Sequence, residues 1–144
     1  MARKGSTVGQ QLGAKTNVIQ QSAEFKTSPQ TLYEMYMDSA KHSLATGSRA
    51  KVGRNVGDAF TAFDGMLHGK NLLIVRGEIV VQSWRASSWK KSDGDSILIL
   101  TFRKTAYGAR VDLVHVNVPE HDHKGVTAGW PKFYWKPWRA YLAK

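Results

Sequence analysis

The sequence predicts an α+β fold in which a curved antiparallel sheet is closed on one side by a long C-terminal helix. Two observations carry this. Near the end of the chain Val126, Trp130, Phe133, Tyr134, Pro137, Trp138, Tyr141 and Leu142 follow one another at offsets of four, three and one, which at helical pitch makes one continuous apolar stripe. Lys132, Lys136 and Arg139 fall on another face, so the helix is amphipathic and its aromatic side needs a large apolar surface to cover it. From Lys51 onward the chain supplies such a surface in short apolar runs separated by turn dipeptides, the pattern of consecutive antiparallel strands.

Each element has its own signal. Residues 1–16 are rich in Gly, Ser, Gln, Lys and Arg, with only Val8 and Leu12 as sizeable apolar residues, and read as a disordered N-terminal tail. Residues 17–26 have moderate strand character. Thr27-Ser28-Pro29 then sets a hydroxyl N-cap before proline at the first helical position, and the helix runs to about Asp38 with Leu32, Tyr33, Tyr36 and Met37 on its apolar face. A second short helix over 39–45 ends at Thr46-Gly47, where glycine supplies a left-handed cap. The strands follow: 57–63, closed by Asp64-Gly65; 66–75, with a bulge expected near Gly69; 78–86; 96–104, after Ser92-Asp93-Gly94-Asp95; and 109–118. Pro119 and Glu120 stop the last strand and open the C-terminal helix. Pro137 lies well inside that helix, where a missing donor and a clash with the carbonyl four residues back cost about 3 kcal/mol, so a bend is expected there.

Alternation assigns the faces. Asp112 and Arg110 mark the solvent side of the last strand and leave Val111, Leu113 and His115 inside; Thr101 and Arg103 leave Leu98, Leu100 and Phe102 inside; Arg85 leaves Val80, Gln82 and Trp84 inside. A sheet with one apolar face and a helix with a matching stripe close only when the helix lies across the sheet. That is a helix-grip architecture, with two short helices after the first strand and residues 17–144 forming one domain.

Composition narrows the function classes. The chain has 144 residues and no Cys, which excludes disulfides, thiolate metal ligands and cysteine nucleophiles and suits a reducing cytoplasm. No segment has the continuous apolar core of a secretory signal or the length of a membrane span. The net charge is +10, with eight Lys/Arg in 1–54, eight in 55–118 and five in 119–144. Charge spread this evenly reads as a solvated basic surface and weighs against a nucleic-acid site, which needs cations clustered on one side.

Four segments, in this order, resemble the single-domain proteins related to the activator of the heat-shock protein 90 ATPase, in the SRPBCC/START/birch-pollen-allergen superfamily. They are F-x-x-F-D-G at 60–65 with the following L-H-G-K-N-L, I-V-V-Q-S-W-R at 79–85, N-V-P-E at 117–120, and G-W-P-K-F-Y-W-K-P-W-R-A-Y-L at 129–142. The resemblance spans roughly residue 17 to the C-terminus and implies a helix-grip fold with, in many members, a cavity between sheet and C-terminal helix. The eukaryotic activators have two domains, and this chain is similar to the C-terminal one. The implied function is a non-enzymatic, cytoplasmic, co-chaperone-like domain of the stress response. Its implied partners are a small hydrophobic molecule or a chaperone of the heat-shock protein 90 type. Superfamily relatives include polyketide cyclases and aromatases, so an enzyme of that type is the alternative, with a nucleic-acid binder behind it.

The pocket candidates are Trp84, Gln82, Leu98, Leu100, Phe102, Leu113, His115, Trp130, Phe133, Tyr134 and Trp138. Each is also accounted for as core, since burying a large apolar side chain is worth about 2–3 kcal/mol. His115, expected beside Gln82, is either a satisfied core histidine or the group that meets a ligand head or moves a proton. Glu120-His121-Asp122-His123 reads as acids complementing a helix N-terminus; alternate residues there do not share a face, so it is no metal site. Trp89, near Lys90 and Lys91, is either an exposed contact or tucked under its own loop. No catalytic constellation, metal site or cofactor motif stands out.

Overall fold

The structure is a computed structural model that describes residues 18–144, so the expected N-terminal tail lies outside the described residues. β1 (Ile19–Phe25) leads into α1 (Pro29–Met37) and α2 (Ser39–Thr46). Six strands follow: β2 (Lys51–Val52), β3 (Ala59–Ala62), β4 (Leu67–Val75), β5 (Ile79–Ala86), β6 (Ser96–Lys104) and β7 (Ala109–Val116). α3 (Glu120–Trp130) then passes through a π-helical turn (Pro131–Trp135) into α4 (Lys136–Leu142).

The caps at Ser28 and Gly47 are where the sequence puts them, and Asp38 supplies a third that the sequence reading did not mark. The Ser28 hydroxyl accepts the Thr31 N–H at 3.1 Å and starts α1; the Asp38 carboxylate accepts the Lys41 N–H at 3.0 Å and starts α2. Gly47, at φ 80°, closes α2 in the left-handed conformation. The seven strands make one antiparallel sheet in the order β1-β7-β6-β5-β4-β3-β2, a meander from β2 to β7 with β1 returned to the far edge. Alternation along β5, β6 and β7 buries Val80, Trp84, Leu98, Leu100, Phe102, Val111 and Leu113 on one face, against the helices.

The meander differs from expectation in three places. β3 ends at Ala62 because Phe63, Asp64 and Gly65 all take positive φ (51°, 57° and 93°) and make the turn themselves. The bulge in β4 falls between Asn71 and Leu73, while Gly69 stays in register with Phe60 and Trp84. Glycine at 69 serves a close approach instead: a Cβ there would lie 1.8 Å from the Ser83 carbonyl oxygen. β2, two residues long, carries no sequence signal.

The prolines produce a π turn where a bend was expected. The Lys136 N–H bonds the Pro131 carbonyl, five residues back, and Pro137 then falls in the first turn of α4, where its missing N–H costs little. Each residue of a π turn advances by less than the ~100° of an α-helix, so five of them retard the following face by roughly 60–90°. That rotation explains two departures from the stripe. Phe133 is swung outward to 46% exposure, and Trp135, outside the stripe, is swung in and buried.

Candidate functional site

The inner face of the sheet is not completely filled by the helix. A cleft of about 300 Å³ lies between α3 with its π turn and the β3–β4 and β5 side of the sheet. Its wall on the helix is Asp122, Gly125, Gly129 and Phe133, spaced three, four and four along one flank and so aligned on one side of the helix. Val126, Trp130 and Tyr134, the adjacent row, form its base. Phe63, Met66, Leu67, Trp84, Ala86 and Ser88 close the opposite side. The two glycines are what opens it. A Cβ at Gly129 would meet only the Phe133 ring edge, at 3.6 Å, so nothing but the missing side chain holds that space clear.

Phe63 pins the rim. Its left-handed backbone, uncommon for a bulky residue, aims the ring at the helix, where it packs edge-on to Phe133 (5.6 Å) and Tyr134 (5.5 Å). Met66, in the same turn, is 62% exposed, so the mouth of the cleft is apolar. A second depression, of about 350 Å³, is lined by Gln30, Thr31, Glu34, Met35, Lys41 and Tyr141. It is the larger by volume, but four of these six residues are polar or charged, and the aromatic cleft is the better small-molecule site.

At the other end of the cleft, Trp89 is buried against the sheet and not an exposed contact. Its ring packs on Trp84 at 5.6 Å, the Arg85 guanidinium lies over it at 5.9 Å, and its indole N–H donates to Asp122 Oδ2 at 2.7 Å. His121 instead pairs with Asp93 at 2.9 Å. Among the described residues no three potential metal ligands come together.

Gln82 and His115 are each held in a network of buried polar groups. Asn71, Gln82, Leu98, His115 and Ile19 form one row across five strands, so Leu98 separates the two polar groups expected side by side. Around Gln82 a chain of donors runs from the Tyr36 hydroxyl to Gln82 Oε1 (2.7 Å), from Gln82 Nε2 to Asn71 Oδ1 (2.9 Å), and from Asn71 Nδ2 to the Gly53 carbonyl (2.7 Å). Around His115 the partners decide the tautomer. The Trp130 indole N–H can only donate, so His115 Nδ1 accepts it (3.2 Å); Nε2 then donates to Ser96 Oγ (2.8 Å), which passes its own proton to the Trp84 carbonyl (2.7 Å). Burial holds His115 well down, at about 3, and therefore neutral. His42, unremarked in the sequence, is treated the same way. Its Nδ1 donates to the Tyr36 carbonyl (2.7 Å), its Nε2 accepts the Tyr134 hydroxyl (2.9 Å), and burial lowers it to about 4.

Of the eleven pocket candidates, Trp84, Trp130, Phe133 and Tyr134 line the cleft. Leu98, Leu100, Phe102, Leu113 and Trp138 are core residues away from it, and Gln82 and His115 are fully buried within the networks just described. A ligand head or a reacting proton has no free ring nitrogen of His115 to meet. Sequence reading passed over Phe63, Met66, Leu67, Ser88, Asp122, Gly125 and Gly129. The three-four-four spacing of the helix residues was the available signal; it is faint because glycine adds nothing to an apolar stripe.

A sheet gripping a C-terminal helix, with an aromatic cleft beside it, defines an α+β helix-grip domain. The family model described as "Activator of Hsp90 ATPase homolog 1-like protein" matches residues 26–143, and the chain belongs to that family. An activator of 90 kDa heat shock protein ATPase homolog from Dictyostelium discoideum is 23% identical over 117 residues, 81% of this chain but 30% of that protein, so the chain spans under a third of that relative. The fold is similar to the crystal structure of an HSP90 activator from Plasmodium falciparum, with a TM-score of 0.78 and 21% identity, covering 88% of this chain and 96% of that one. It is also similar to a protein of the dynemicin biosynthetic locus, with a TM-score of 0.74 and 10% identity, covering 89% of this chain and 48% of that one. No helix among the described residues is long and apolar enough to cross a membrane.

Proposed function

We propose that residues 17–144 act as one non-enzymatic, cytoplasmic binding domain that holds a small apolar molecule in the cleft beside α3. The observation that carries this is the unfilled space of about 300 Å³ walled by Phe63, Trp84, Trp130, Phe133 and Tyr134, beside buried networks that already pair Gln82 and His115. Such a site suits a ligand held by burial of apolar area, with few polar contacts. Occupied nitrogens at His115 weigh against the cyclase or aromatase alternative, whose proton transfer would fall to that residue. The test is a titration with small aromatic hydrocarbons followed by the indole N–H resonances. Trp84 and Trp130 are expected to shift while Trp138 stays still; no movement at either of the first two would end this reading.

A chaperone partner is the second reading, favoured by membership of the activator family and by the likeness to a heat-shock protein 90 activator. It predicts co-purification with a chaperone of that type and a change in its ATPase rate. Absence of both would remove it.

A further inference from the structure

The cleft is apolar along its length and polar at one end, and that end has a sign. Tyr134 gives its hydroxyl to His42 and Trp130 its N–H to His115, which leaves Ser88 and Asp122 as the polar side chains of the lining with groups to offer. Asp122 is not free to turn. The Trp89 indole can only donate and is buried, so it fixes Asp122 Oδ2 at 2.7 Å. The other oxygen, Oδ1, is thereby placed over Gly125, where an added Cβ would come within 2.7 Å of it. Among the described residues Oδ1 takes no hydrogen bond. Glycine at 125 therefore does two things at once: it widens the trough and makes room for a carboxylate oxygen at its end. From Asp122 to Phe133 the trough runs roughly 15 Å along the helix, long enough for a two-ring body with a head group at the acid.

We propose that this cleft selects ligands with a flat apolar body and a hydrogen-bond-donating head, a protonated amine above all, whose N–H bonds Asp122 Oδ1. The proposal rests on the reading of the cleft as a small-molecule site. A carboxylate head would face an acceptor that cannot rotate away, and a bare hydrocarbon would leave that acceptor desolvated without a partner.

Three probes sharing one body separate the cases: 1-naphthylmethylamine, 1-methylnaphthalene and 1-naphthoate, titrated at pH 7 against the full chain by calorimetry and by indole N–H shifts. The amine is expected to bind roughly tenfold or more tighter than the carboxylate. Asp122→Asn then gives an opposite expectation. Its amide must turn oxygen to the Trp89 N–H, which presents NH₂ over Gly125, so the order falls to parity or reverses toward the carboxylate. Asp122→Ser, which keeps an acceptor for Trp89, serves if the asparagine variant does not fold, and is expected to bring the ratio to parity. Equal binding of amine and carboxylate by the native chain, or an unchanged ratio in the variants, overturns the donor selectivity while leaving the cleft reading intact. Binding of none of the three overturns both.

Discussion

The two halves of the C-terminal helix meet the same sheet and treat it differently. Under α4, Trp138 is fully buried and its ring is packed by Phe25 at 5.8 Å, Trp135 at 5.6 Å and Tyr134 at 6.0 Å. The Trp138 N–H is buried without a partner. Under α3 the large rings are offset to one side and glycines take the other, so the contact is incomplete and the cleft remains. Packing is therefore maximised at one end even at the expense of an unpaired donor, and withheld at the other by the two smallest residues available. The polar groups do not follow that division: each half buries one unpaired ring nitrogen, Trp138 Nε1 on α4 and His123 Nε2 on α3, while His115, Ser96 and Trp130 are bound to one another.

Unfolding measurements on point variants and across pH test that contrast. Trp138→Ala removes a full ring from the closed end and is expected to cost about 3–5 kcal/mol in denaturant unfolding. Phe133→Ala, at the half-exposed rim, should cost less than about 1 kcal/mol; similar losses for the two would mean that both ends are equally packed. The next effect is a pH dependence. Above about pH 6.5 His42 and His115 are neutral whether the chain is folded or not. Below it the unfolded chain takes up protons that burial denies the folded one until about pH 4 at His42 and about pH 3 at His115. Stability should then fall with pH, by up to about 3 kcal/mol per unit for two protons between 6.5 and 4, and more gently below 4, where His115 alone continues. Denaturant midpoints measured from pH 7 to 4.5 would show it, and His42→Gln should about halve the slope. A flat profile would mean that the rings charge inside the fold. The smallest effect distinguishes the two glycines. Gly129→Ala places its Cβ at ordinary contact distance and should stabilise by up to about 1 kcal/mol. Gly125→Ala drives into Asp122 Oδ1 at 2.7 Å and should gain nothing. Equal gains would show that Asp122 is free to move.

Most of the architecture was legible because its causes are local. Caps at Ser28 and Gly47, alternation within each of β5 to β7 and the aromatic stripe are each written within fewer than twenty residues. The cleft was legible only on its aromatic side. Trp84, Trp130 and Tyr134 follow from face assignment, and Phe133 reaches the rim through the π turn; Asp122 and the glycines define the site by what they leave open, and a hydropathy pattern records only what is filled. His115 was placed on the correct face, yet its role depended on Trp130 and Ser96, partners that only the packed helix and neighbouring strand bring to it. The β4 bulge moved to Asn71 because that side chain is needed inside, bonded to Gln82, and pairing geometry gave way to it.

The π turn gives the helix two independent numberings. Up to Trp130 the residues that touch the sheet are set by one phase; beyond Trp135 they are set by another, displaced by about one residue. Substitutions on either side can thus be selected without disturbing the other, so the cleft half is able to change its bore while the anchoring half stays fixed. A related chain whose helix lacks the extra residue would have to carry its anchoring tryptophan one position earlier, and a gapless alignment of the two would match a buried ring to an exposed side chain.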